Sequence, residues 1–290
     1  MPRKEKENLL SYLSAGHIRL GLSDPYIWEG GYLTIQLRQI CLVAEKLDSV
    51  IDDLTAILGI KSCYVDPGVG AFGLENNLMP VGRNFLEVVA PIQENTAGGR
   101  YLDRRGGDGG YMVITQIDKL EEHQRLRTRA LDNGVRIAHE NTRDGWELCQ
   151  LHPRDMVAAF LELEWDVNED FEGHWNPVGG LGWEDKVCQD RTIDFIGVEL
   201  QSENPLQLAH HWATVTDLPV HHENDNPCVN FNNVTLRFVE STDGRGAGLG
   251  GLDIRVKDQA GIIEEAKKRD CYVSDSQVNI CGTRWYLYET

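Results

Sequence analysis

The 290-residue sequence contains no apolar run near the roughly 18 residues that a membrane-spanning helix needs. Met1-Pro2-Arg3-Lys4-Glu5-Lys6 leads into Asn8-Leu9-Leu10-Ser11 without the apolar stretch of a secretory leader. The expectation is a cytoplasmic protein with no membrane partner. The chain is also poor in positive charge, with 28 Lys and Arg against 46 Asp and Glu and a net charge of −18. Such a field repels polyphosphate and argues against a nucleic-acid partner. Seven cysteines, at 41, 63, 149, 188, 228, 271 and 281, are odd in number and make no C-x-x-C pair or Cys/His zinc spacing. They read as reduced, mostly buried thiols. With no G-x-S-x-G elbow, P-loop or Cys/His dyad, serine hydrolysis and nucleotide phosphoryl transfer are removed as well.

What remains is an ordinary globular composition, 41% hydrophobic and 26% charged. A chain of this size buries roughly three quarters of its unfolded surface, so it needs no metal merely to fold. Its strongest signal is internal repetition. A strand at 37–44 precedes a helix at 46–58, whose apolar stripe Leu47, Val50, Ile51, Leu54 and Leu58 ends at Gly59, and short strands close with 84–89. A second unit follows a glycine-rich joint at 104–110. It has a strand at 111–117, a helix at 120–131 stopped by Gly134, strands at 135–139 and 146–151, and a closing strand at 158–165. The stretch 166–190, rich in acids, glycine and tryptophan, reads as a linker.

The third unit opens at 193–200, with a helix that Asn204 caps and Pro205 begins, running to about Thr216, and it closes at 234–239. After a second glycine-rich joint at 244–251 come a strand at 252–256, a helix at 261–269 and strands at 271–273, 277–280 and 284–288. Gly246, Gly248 and Gly251 satisfy G-x-G-x-x-G, but they lead into a strand rather than a helix, so they are not a dinucleotide loop. The expected organisation is an extension at 1–36, a module pair at 37–165, the linker at 166–190 and a second module pair at 191–290.

Four strand–helix–three-strand units in two pairs resemble the vicinal oxygen chelate superfamily of glyoxalases, epimerases, extradiol dioxygenases and bleomycin-resistance proteins. The resemblance is carried by residues 37–47, by Asn84-Phe85-Leu86-Glu87-Val88-Val89 and by Phe160-Leu161-Glu162-Leu163. It implies an α+β fold in which four βαβββ modules form two cups. It also places metal ligands on the first and last strands of each unit in a pair. Those positions are Gln39, Glu87, Met112 and Glu162 in the first pair and Phe195, Arg237, Gly251 and Tyr286 in the second. Met112 departs from the His or Gln of an active glyoxalase-like site, since a thioether is a poor donor to hard divalent ions. None of the second set suits a ligand role, so any site of this kind belongs to the first pair.

Strand alternation supports the same residues without the resemblance. Phe85, Glu87 and Val89 share one face, as do Phe160, Glu162 and Glu164. A carboxylate among apolar neighbours must be paired, bind a metal, or have its pKa raised and act as acid or base. For Gln39, a plain hydrogen-bonded amide stands beside the functional role. His152, in the loop before the closing strand of unit two, is a candidate proton carrier or a turn histidine bonded to backbone. His210-His211 and His221-His222-Glu223 point successive side chains in different directions and read as surface or core residues.

The resemblance implies a lyase, isomerase or epimerase acting on a small oxygenated organic substrate. A divalent metal (Mg, Mn, Ni, Zn or Fe) held by Gln39, Glu87 and Glu162 would act as Lewis acid, with Glu87, Glu162 or His152 moving the proton. A metal-free small-molecule binding protein of the bleomycin-resistance kind is the alternative, favoured by Met112. An extradiol-type ring-cleaving dioxygenase ranks third, because its histidine ligands are missing. Superfamily members build cups within one chain or between chains, so a homodimer is also open.

Overall fold

Residues 34–290, other than 174, 176 and 177, are described by the computed structural model. Of the extension expected at 1–36, residues 1–33 lie outside the described residues. The first unit comprises β1 (Ile35–Val43), α1 (Leu47–Leu58), β2 (Leu74–Val81) and β3 (Asn84–Pro91). One isolated bridge, Tyr64 to Leu78, marks where a further strand begins to form. Helix α1 buries Val50, Leu54, Ile57 and Leu58, and it stops where Gly59 takes a left-handed φ of 73°.

The second unit has β4 (Gly109–Ile117), α3 (Leu120–Asp132), β5 (Ile137–Arg143), β6 (Trp146–Leu151), α4 (Pro153–Met156) and β7 (Phe160–Asp166). Before it lies α2 (Ala97–Arg105), a helix the sequence reading did not assign; only its last two residues fall in the joint expected at 104–110. Its Thr96 cap accepts a 2.9 Å bond from the Gly99 amide, enough to start a helix despite two glycines in the first turn.

The third unit is β8 (Thr192–Ser202), α5 (Pro205–Thr216), β9 (His221–Glu223), β10 (Asn226–Asn230) and β11 (Thr235–Glu240). As expected, Asn204 caps α5 through the Gln207 amide and Pro205 opens it. The fourth is β12 (Gly248–Val256), α6 (Gln259–Lys268), β13 (Tyr272–Ser274), β14 (Gln277–Ile280) and β15 (Thr283–Glu289). Strand β12 starts four residues earlier than expected and takes in glycines assigned to the second joint.

The units pair into two sheets of matching topology, β2-β3-β1-β4-β7-β6-β5 and β13-β14-β15-β12-β8-β11-β10-β9. In each, the first strands of two units run antiparallel at the centre and each pairs in parallel with its own closing strand. The expected α+β fold of four modules in two cups is therefore the observed one.

One face of each sheet carries its helices, and these faces share a hydrophobic core that runs through both halves. Helix α1 meets α6 and α3 meets α5 across it. At the seam between β4 and β12, Gly110 lies so close to Leu249 that a Cβ on the glycine would overlap it. Nearby, Arg105 donates to the carbonyls of Arg245, Gly246 and Ala247, and Arg245 returns bonds to those of Arg105, Gly107 and Asp108.

The faces away from the helices are the two cups. Bulges decide which residues reach them. On β8 the register is irregular between the pairs Gly197–Asp253 and Phe195–Ile254. Phe195 accordingly joins the shared core beside Trp285, and Gly197 takes the cup position that sequence counting assigned to Phe195.

Candidate active site

In the first cup, adjacent strands bring the expected residues together. Glu87 on β3 is the register partner of Cys41 on β1, which pairs with Met112 on β4. Phe85, Gln39, Ile114 and Glu162 form the neighbouring row. The alternation read from sequence holds, since Phe85 and Val89 line the cup while Leu86, Val88, Leu161 and Leu163 enter the core.

Glu87 is 8% exposed. One of its oxygens accepts from Gln39 Nε2 at 2.9 Å and the other from Asn76 Nδ2 at 2.6 Å. Burial pushes its pKa up to about 7 against the lowering effect of Asn76 and Cys41, and the Glu162 charge raises it further. Burial likewise raises the Cys41 thiol, and Glu87 beside it adds to the shift. Asn76 is fixed from behind, because its Oδ1 accepts from the Asp66 amide at 3.0 Å.

Glu162 faces the same cup, and burial raises its pKa, partly offset by hydrogen bonds from Glu164 and Gln150 and by the charge of His139. Glu164 is raised further, by burial and then by the Glu162 charge. The stronger rise at Glu164 favours its protonated form, while Trp146 Nε1 donates to it at 3.2 Å. Asn76, His139 and Gln150 were not singled out in the sequence, Cys41 was read only as a buried thiol, and Glu164 only as sharing the face of Glu162. Glu164 was within reach, two residues beyond Glu162 on the same strand face. His139 and Gln150 come in through β5–β6 pairing, where they are register partners.

Among the described residues, beside Trp175 Nε1, two oxygens in this cup are buried without a hydrogen-bond partner, Gln39 Oε1 and Glu162 Oε2. With the Glu87 carboxylate they make a donor set of oxygen alone, which fits a hard divalent cation such as Mg or Mn better than Zn or Fe. Met112 adds no such donor. A free oxygen on Glu162 and a flippable amide at Gln39 are what a ligand set held ready would present.

The segment read as a linker does more than join the halves. It returns across the first cup and buries Trp175 and Trp183 completely. Trp183 stacks edge-on to Phe85 with ring centroids 5.0 Å apart. Arg38 anchors this return by donating to the carbonyls of Phe171 and Gly173 and stacking 5.3 Å over Trp175. From the other side α2 contributes Tyr101, edge-on to Tyr111, which in turn meets Phe160. The residues Asn176 and Pro177 lie outside the described residues.

No hydrogen bond or charge interaction joins His152 to Glu87 or Glu162 among the described residues. The histidine sits at the N-terminus of α4, where Nδ1 accepts from the Arg154 amide at 3.2 Å, and its charged neighbours are Arg136, Asp155 and Arg154. Burial and Arg136 lower its pKa. Helix α4 packs against β7 and also meets α5, where Trp212 donates to the Met156 carbonyl. The turn role weighed in the sequence is the observed one.

The second cup is filled by charge. Glu199, in register with Arg237 and Gly251, accepts from Arg237, from Arg284 at 2.7 Å and from Tyr286 Oη at 3.3 Å. Arg237 also holds Asp253 at 2.7 Å, and Arg284 reaches Gln201 and Asp243. Burial works against the Arg237 charge, but Asp253 and Glu199 raise its pKa overall. Gly197, Gly250 and Gly251 are small because a Cβ on any of them would strike this network.

No protein-family model matches the chain, and no curated protein matches it in sequence. Solved structures do match in fold. A hypothetical protein from Staphylococcus aureus is 13% identical over 88% of this chain and 99% of its own, with a TM-score of 0.59. A triple variant of 4-hydroxymandelate synthase from Streptomyces coelicolor is 15% identical over 82% of this chain and 76% of its own, at 0.60. A methylmalonyl-CoA epimerase in complex with methylmalonyl-CoA matches 48% of this chain and 98% of its own, with 19% identity and a TM-score of 0.40.

Proposed function

From the two-cup fold, which this chain shares with 4-hydroxymandelate synthase, and from its resemblance to the vicinal oxygen chelate superfamily, we propose that the first cup is an acid–base site. It moves a proton on a small oxygenated organic substrate, as an isomerase, epimerase or lyase does. The observation that carries this reading is Glu87, buried among aromatic rings, held by two amides and raised to about 7. Near neutrality such a carboxyl is populated in both forms and can take or give a proton.

A divalent cation held by Gln39, Glu87 and Glu162 would stabilise negative charge developing on a substrate oxygen. The chain's own groups supply the rest. Asn76 keeps one Glu87 oxygen engaged and so aims the other. Glu162, with a free Oε2, offers the opposing carboxylate, and Glu164 stores a proton next to it. Trp175, Trp183 and Phe85 exclude water from between these groups, which strengthens every charge interaction there.

The test follows deuterium entering the carbon beside the carbonyl in a panel of small 2-oxo and 2-hydroxy acids and their thioesters, dissolved in D2O with the protein. Wash-in that Glu87→Gln abolishes supports the proposal. A panel compound that binds and is returned without label favours the second reading, a metal-free binding protein. The aromatic lining from Phe85, Tyr111, Phe160, Trp175 and Trp183 is what supports that alternative.

A further inference from the structure

The hairpin of β9 and β10 presents three different donor atoms on one face. Alternation puts His221 and Glu223 on the same side of β9 and turns His222 away. Antiparallel pairing sets Cys228 directly across from His221. One ligand atom from each of His221, Glu223 and Cys228 lies within 4.8 Å of the others, and His221 Nε2 is 2.9 Å from Glu223. The sequence reading dismissed this run because neighbours in sequence diverge. It missed that residues two apart converge, and that the third member arrives from the next strand.

Depth and chemistry both favour a metal here. Cys228 is fully buried, whereas His221 and Glu223 reach solvent at the rim. The Cys228 Sγ donates weakly to the Asn226 carbonyl at 3.5 Å and takes a backbone hydrogen bond from Glu223. Arg237, its register partner on β11, is already held by Glu199 and Asp253. Imidazole nitrogen, thiolate and carboxylate together suit a borderline ion, and three protein donors leave a fourth tetrahedral position open.

We infer that His221, Glu223 and Cys228 form a zinc site at the rim of the second cup, with its fourth position facing solvent. On binding, a Zn–S bond replaces the S–H bond of Cys228 and one proton leaves to solvent for each ion taken up. Thiolate and carboxylate then balance the charge of the ion. The site is separate from the first cup, whose donors are oxygens on the other sheet.

The experiment titrates the full chain, stripped with chelator, with Zn²⁺ against a chromophoric competitor, and with Co²⁺ to read thiolate-to-metal charge-transfer absorption. Second-sphere changes alone cost about 10–100-fold in metal affinity, so loss of a ligand in His221→Ala should weaken zinc by at least about tenfold. Cys228→Ser should remove the cobalt charge-transfer band, while Cys41→Ser and Glu87→Gln keep it. His221 is at the surface, so its variant tests the site even where replacement of the buried Cys228 disturbs folding. Wild-type protein that takes up no zinc, a band that survives Cys228→Ser, or unchanged affinity in His221→Ala would overturn the assignment.

Discussion

The two cups are built on the same strand order and filled in opposite ways. In the first, Glu87 and Glu162 share a face with aromatic rings, burial raises both carboxyls, two amides hold Glu87, and buried oxygens remain without partners. In the second, the equivalent ground holds two arginines and three acids that satisfy one another. Glu87 corresponds to Arg237, and Glu162 to Tyr286, because each stands opposite the matching residue of its own first strand. Duplication has left one copy with raised carboxyls and open valences, while the other spends the same positions on self-neutralisation. Unpartnered buried polar atoms are costly, so their concentration in one cup is the better guide to chemistry.

The sharpest way to break the contrast is Glu87→Gln. Amide for carboxyl keeps the Asn76 bond, and Gln39 can turn its own amide to match, so the fold should survive. Proton transfer in the first cup should fall by roughly 100-fold or more, measured as deuterium wash-in. Next in size, Arg237→Ala leaves Glu199 and Asp253 without their shared cation. Breaking a buried pair from one side costs about 3–5 kcal/mol. Urea unfolding should show that loss, and a midpoint equal to wild type would mean the second cup's ion pairs contribute little to stability.

The third prediction concerns pH. Glu87 has a folded pKa raised to about 7 from 4.5, so folding favours its protonated form. Its contribution is fully present below about 4.5 and is lost as pH rises through 7, a change on the order of 3 kcal/mol. Glu87→Gln should therefore gain stability relative to wild type between pH 5 and pH 8, and parallel urea curves at the two pH values would refute the buried-carboxyl description. The smallest effect is expected from His152→Ala. Removing a capping side chain costs about 1 kcal/mol, with deuterium wash-in unchanged. A large drop in wash-in would return His152 to the active site.

Most of the fold could be read from the sequence because it rests on local signals. The stripe of α1 ends at Gly59, Asn204-Pro205 starts α5, and strict alternation sets the faces of β3 and β7. Glu87 and Glu162 were legible for that last reason. What escaped depends on geometry that sequence spacing does not carry. A bulge in β8 turned Phe195 into the core and put Gly197 in its place. The Thr96 cap started a helix at 97–105 that no apolar period in the sequence announced. Trp175 and Trp183 occupy a cup whose existence had to be inferred before they could be placed in it. Asn76, His139 and Gln150 reach the carboxyls across strands, through pairings that only register reveals.

The contact between Gly110 and Leu249 carries a consequence of its own. The two residues are equivalent, each pairing with a leucine, Leu42 or Leu200, at the same irregularity in its sheet. Equivalent positions in two halves thus meet each other, one reduced to a hydrogen and the other filling the gap. Two identical halves associating about the same seam would bring leucine against leucine or leave glycine facing glycine. Either mismatch penalises self-association, so the first half is shaped to prefer the second over a copy of itself. The asymmetry of one pair of side chains fits the two halves to each other at this point of the seam and not to copies of themselves.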